Sequence, residues 1–117
     1  MQITKHTLIK GLKDEVPGFV IDPDSAEDGL GYPIINDLAR YICQEADVAY
    51  WTSDASGSDE VKRAILFLER CLERGDQYVR DLVHECLDTL RSCSRITQIQ
   101  PDFGVLTLRL WNEFFKP

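Results

Sequence analysis

The sequence has little of what most catalytic, metal-binding and targeting motifs require. It holds two histidines, His6 and His84, and neither has a partner at zinc-ligand spacing. Its four cysteines, Cys43, Cys71, Cys86 and Cys93, form no C-x-x-C pair. Gly29-Leu30-Gly31 has no following lysine and no preceding strand pattern, so it does not make a phosphate cradle. The stretch Asp22-x-Asp24-x-x-x-Asp28-Gly29 invites comparison with a calcium loop. The template requires a ligand at position 5, glycine at 6 and glutamate at 12, where this chain has Ala26, Glu27 and Pro33. No run approaches the ~18–20 apolar residues of a membrane span, and residues 1–10 carry no apolar signal core. The expectation is a cytoplasmic protein without catalytic residues, metal, cofactor or membrane contact.

Positive charge is also scarce, and unevenly so. Across 117 residues there are 13 Lys and Arg against 20 Asp and Glu, a formal charge of −7. Between Asp14 and Glu60, twelve acids face Arg40 alone, so that stretch carries −11. Duplex nucleic acid is a poor partner, because its binding depends on cations neutralising phosphates. An acidic half can steer a basic protein partner, or it can simply keep the chain soluble.

What the chain does have is helical periodicity. Its 117 residues, 44% hydrophobic, suit one folded domain spanning 1–117. Leu8, Ile9, Leu12 and Val16 form a first stripe, with Thr4 or Thr7 as its cap and Pro17-Gly18 as its stop. A loop follows to Gly31, with Phe19, Val20 and Ile21 expected in the core. Tyr32-Pro33 opens a second helix whose apolar face runs from Ile34 to Ala46, fraying near Tyr50-Trp51-Thr52. Residues 53–58 read as a loop, with Ser58 as N-cap of a third helix carrying Val61, Ala64, Ile65, Leu68, Cys71 and Leu72. Gly75 ends it and Asp76 caps a fourth at once, with Val79, Leu82, Val83, Cys86, Leu87 and Leu90 as its stripe. So short a link predicts an antiparallel helix hairpin. Residues 97–101 read as loop, and a fifth helix is expected from Pro101-Asp102, with Phe103, Leu106, Leu110, Trp111, Phe114 and Phe115 closing the bundle. The fold expectation is therefore all-α, a single-domain bundle of about five helices around a central hairpin.

Potential reactive groups are better read as structural. His84, Glu85 and Cys86 are adjacent, but consecutive helical residues point ~100° apart, which leaves His84 off the core stripe and exposed. The cysteines fall in or beside apolar stripes and are expected as free, buried hydrophobes, with Cys93 the most exposed. Glu69/Glu73 and Asp81/Glu85 stand one helical turn apart, and Arg70, Arg74 and Arg80 are placed to neutralise them. The remaining candidate is a recognition surface. Tyr50 and Trp51 end the second helix among Asp47, Asp54, Asp59 and Glu60, and aromatic anchors ringed by polar groups are typical of binding hot spots. The competing reading makes Trp51 a plug on the bundle's open end.

The segment containing Phe67-Leu68-Glu69, Gly75-Asp76 and Val79 resembles, with loose spacing, a motif of small bacterial helical proteins. The Pro17-Gly18-Phe19 turn and the Tyr32-Pro33 helix start fit as well, so the resemblance covers about residues 8–90. Most such proteins are domains of unknown function, and some look like immunity proteins encoded beside polymorphic or contact-dependent toxins. The resemblance implies that the glutamate and the Gly-Asp pair set the helix hairpin, and it speaks to fold more than to function. Taken with the −11 segment and the aromatic pair, it gives the expectation of a binding protein whose partner is a cognate toxin with a basic surface, met by Asp22, Asp24, Glu27, Asp28, Asp47, Tyr50, Trp51, Asp54, Asp59 and Glu60. The alternatives are a regulatory adaptor or homodimeric scaffold built on the aromatic C-terminal helix, and an acidic nucleic-acid-mimic inhibitor.

Overall fold

Thr4 opens the first helix by donating its backbone N–H to the Thr7 hydroxyl at 2.9 Å, closing the first turn of α1 (Lys5–Glu15). The computed structural model in which this is seen describes residues 2–21, 31–52 and 55–115, with side chains in the last segment from residue 58. The chain continues as α2 (Gly31–Thr52), α3 (Ala55–Arg74), α4 (Gln77–Leu90), the single turn α5 (Ile96–Ile99), a 3-10 turn (Gln100–Asp102) and α6 (Val105–Phe114). Among the described residues the protein is all-helical, and the radius of gyration of 13.3 Å matches the about 13 Å expected for a compact chain of this length. No described helix is long and apolar enough to cross a membrane.

The apolar stripes meet in one core. Leu8, Leu12, Ile35, Leu38, Ile42, Ile65, Leu68, Leu82, Leu87 and Leu90 are almost wholly removed from water. The element that packs most broadly is α2, which lies against both α3 and α4 more extensively than those two lie against each other. The reason is length: α2 is the longest helix, and its face carries Ile34, Ile35, Leu38, Ala39, Ile42 and Ala46, all buried. α1 packs across α3 and α4, and α6 packs on α3.

The α3–α4 junction is as tight as its sequence suggests. Asp76 caps α4 by accepting the Val79 N–H at 3.0 Å. At Gly75 a β-carbon would stand 2.3 Å from the Cys71 carbonyl oxygen, so only glycine allows this approach. Ile3 then bridges the turn, donating its N–H to Arg74 O at 2.8 Å and accepting the Asp76 N–H at 3.0 Å.

Several local expectations change. Val20 is 85% exposed while Phe19 and Ile21 are buried, so the short apolar run alternates in and out of the core. α3 begins at Ala55, three residues before the expected cap Ser58. Residues 96–102 are helical rather than loop, because Ile99 is fully buried and its turn packs on α2. α6 accordingly starts at Val105, with Gly104 as its N-cap. Phe67, outside the apolar stripe assigned to α3, is fully buried.

Candidate functional site

α2 ends in exposed aromatics. Tyr50 is 53% and Trp51 72% exposed, and their rings meet edge-on at 5.2 Å. At that exposure Trp51 does not plug the bundle. The unanticipated member of the site is Arg95, two residues beyond Cys93. Its Nε donates to Asp47 Oδ1 at 2.8 Å, and its guanidinium carbon lies 3.7 Å from the Tyr50 ring centroid and 5.6 Å from that of Trp51. Only 17% of the Arg95 side chain is exposed. A partly exposed ion pair is worth ~0.2–1 kcal/mol and a stacked cation ~0.5–2 kcal/mol. Together they hold Arg95 by about 1–2 kcal/mol, roughly a tenfold preference. Asp47 is thus already neutralised within the chain. Beneath the patch, Ala46, Tyr50, Val61 and Ile99 line a cleft of about 180 Å³.

The segment that carries Arg95 is tied to α2 covalently as well. Cys43 on α2 and Cys93 are joined by a disulfide, with Cα atoms 5.9 Å apart, inside the range such bonds span. This corrects the expectation of four free thiols and of an exposed Cys93, which is buried. The pairing lies 50 residues apart in sequence and follows only from α2 meeting the segment after α4. Cys71 and Cys86 are free and buried, as expected for small hydrophobes. Burial pushes the Cys71 thiol up to about 12 and Cys86 higher still, so both stay protonated.

The other expected site residues separate. Glu60 accepts the Tyr41 hydroxyl at 3.0 Å, nine residues before Tyr50 and therefore ~13 Å back along α2. Burial first, and Glu60 second, raise the Tyr41 phenol and keep it neutral. Asp59 is exposed. Asp22, Asp24, Glu27, Asp28 and Asp54 lie outside the described residues. The structure therefore brings Asp47, Tyr50 and Trp51 together and sets Glu60 apart.

Glu69 has a different task from either one expected of it. It neither faces Glu73 nor orders the α3–α4 turn. It reaches α6, where Oε2 accepts the Leu106 N–H at 2.9 Å and Oε1 accepts the Thr107 N–H at 2.9 Å and hydroxyl at 2.7 Å. A β-carbon at Gly104 would come within 2.4 Å of this carboxylate, so glycine admits it. Burial raises the Glu69 carboxyl, but the three hydrogen bonds outweigh it and leave the group below its ordinary range. Arg70 pairs with Glu15 and Arg74 with Glu73 at 3.9 Å. His84, expected to be exposed, is partly covered by Phe114 and Phe115, with ring centroids at 5.1 and 5.0 Å. Beside them Arg91, Ile96, Leu108 and Trp111 line an open cleft of about 620 Å³. No group of three metal-ligating side chains occurs among the described residues.

A family model matches residues 9–116, nearly the whole chain. The chain belongs to DUF7674, a domain of unknown function. The match reaches beyond residue 90 and takes in Glu69, its α6 target and Arg95. No curated protein and no solved structure matches the chain.

Proposed function

We propose that this chain acts by binding another protein, and most concretely that it is an immunity protein that neutralises a cognate bacterial toxin by direct contact. The observation that carries the reading is the Tyr50–Trp51–Arg95 cluster: two exposed aromatic rings with an arginine packed on them. Tryptophan, tyrosine and arginine are the residue types that dominate interface hot spots. Exposed aromatic area of this kind costs solubility unless another surface covers it. The acidic stretch from Asp14 to Glu60, which includes Asp22, Asp24, Glu27, Asp28, Asp54 and Asp59, gives the chain a negative charge that suits a basic partner. The loose resemblance of the Phe67–Val79 region to small bacterial helical proteins, some of which look like immunity proteins, is what suggests a toxin as that partner. Asp47 contributes only when Arg95 yields it, so the aromatics rather than the carboxylates anchor the contact.

The test begins with the neighbouring genes: the reading expects a large secreted toxin encoded beside this one, whose product then serves as the binding probe, and an isolated metabolic operon there would overturn it. Trp51→Ala is expected to weaken binding about 30-fold, the equivalent of ~2 kcal/mol, and to abolish protection when the two are co-expressed. Trp51 is exposed, so the variant keeps its fold. Unchanged affinity and protection in both Trp51→Ala and Tyr50→Ala chains would overturn the reading.

A further inference from the structure

We propose that the Cys43–Cys93 disulfide is a thiol-sensitive clamp that holds Arg95 on the Tyr50–Trp51–Asp47 patch, and that its reduction releases the arginine and frees Asp47. Three observations converge. Arg95 stands two residues from Cys93, and its backbone N–H donates to Cys93 Sγ at 3.4 Å, so the bridging sulfur is itself part of the turn that aims the side chain. Arg95 makes one ion pair, to a half-exposed carboxylate, and two cation–ring contacts, to exposed aromatics; each is modest by itself, so the covalent tie decides how much of the time they form. The two sulfurs join α2, which carries the aromatics, to the segment that carries Arg95, and the bond crosses the junction where the patch is assembled.

The chemistry needs a dithiol reductant. Its thiolate attacks Cys43, the partly exposed member of the pair, and the Cys93 thiolate leaves. The N–H of Arg95 lies against that departing sulfur and favours its charge. The second thiol of the reductant then attacks the mixed disulfide, so the reductant becomes a disulfide and the chain gains two thiols for two electrons. Buried Cys71 and Cys86 take no part. With the clamp open the patch changes character, from an arginine-capped neutral surface to one presenting a bare carboxylate beside two aromatic rings. Structural disulfides are rare in reducing compartments, whereas redox-responsive ones are the usual kind found there.

The test reads Arg95 itself, so its outcome is separate from whether the patch meets a toxin. In the oxidised, nitrogen-15-labelled chain, the Arg95 Nε–H resonance, assigned by its loss in Arg95→Lys, is expected to be displaced by the Tyr50 ring and protected from exchange by Asp47. Dithiothreitol should move it to the position of exposed arginines while the backbone amides stay dispersed, and oxidised glutathione should restore it. By reciprocity, Arg95→Ala should shift the thiol–disulfide equilibrium in glutathione buffers about fivefold or more towards the dithiol. A reduced chain with both thiols labelled and an unmoved Arg95 resonance would overturn the proposal. So would global loss of amide dispersion on reduction, which would make the bond a staple of the whole fold, or an equilibrium constant unchanged in Arg95→Ala.

Discussion

Glu69 shows how one side chain can tie distant elements together. It lies on α3, 37 residues before Leu106, and it satisfies two backbone donors and a hydroxyl at the start of α6. Removing it leaves those N–H groups and the fully buried Thr107 without an acceptor. Glu69→Ala should therefore cost about 1–3 kcal/mol in denaturant unfolding, and Glu69→Gln less, because the amide oxygen still accepts. The pH dependence has a definite sign. A carboxyl whose folded pKa lies below its unfolded value of ~4.3 stabilises fully above that value and loses its contribution as pH falls through the folded one. Thermal stability of the native chain should thus fall more steeply below pH ~4 than that of Glu69→Gln. The sequence shows Glu69 as half of a surface carboxylate pair, because spacing along one helix reveals neighbours on that helix and nothing of a helix folded back from 37 residues away.

At the scale of elements, local chemistry is most legible where it acts locally. The Gly75-Asp76 junction, the four-residue periodicity of α4 and the start of α2 beside Tyr32-Pro33 follow from capping and sterics within a few residues. Asp76→Ala should lower stability by about 1 kcal/mol, measured as a shift in the urea midpoint at unchanged slope, since it removes the Val79 N–H acceptor and little else. Elements that owe their form to a neighbour depart from what their local pattern predicts. Residues 96–102 carry a weak alternation and a proline, yet they coil into α5 and the 3-10 turn because Ile99 is drawn into the core. Tertiary packing likewise buries Phe67, which lies outside the stripe assigned to α3.

At the scale of the whole molecule, the disulfide closes a loop of 50 residues. Chain-entropy reasoning assigns such a closure roughly 4 kcal/mol, and measured bonds typically give 2–4 kcal/mol. The Cys43→Ser/Cys93→Ser chain should lose stability in that range while keeping its helical circular dichroism, because the bond sits at the margin of the core and the fully buried residues of α2, α3 and α4 remain. The charge distribution also takes on a different meaning at this scale. The acidic stretch remains as the sequence states it, but among its described members Glu60 serves Tyr41, and Asp47 serves Arg95 from the near-neutral half of the chain.

The sequence by itself determined the helical class, the stripes that face the core, the Thr4 and Asp76 caps and the burial of Cys71 and Cys86, because each depends on periodicity or on partners within a turn. It also marked Tyr50 and Trp51 as candidates for recognition, while leaving open whether Trp51 plugs the end of the bundle. Only the tertiary structure decided that Cys43 bonds Cys93, that Glu69 caps α6 and that Arg95 lies on the aromatic pair. Each of those is a contact between residues 37 to 50 positions apart. Such contacts depend on how the chain brings its helices back on one another, and no local spacing encodes that.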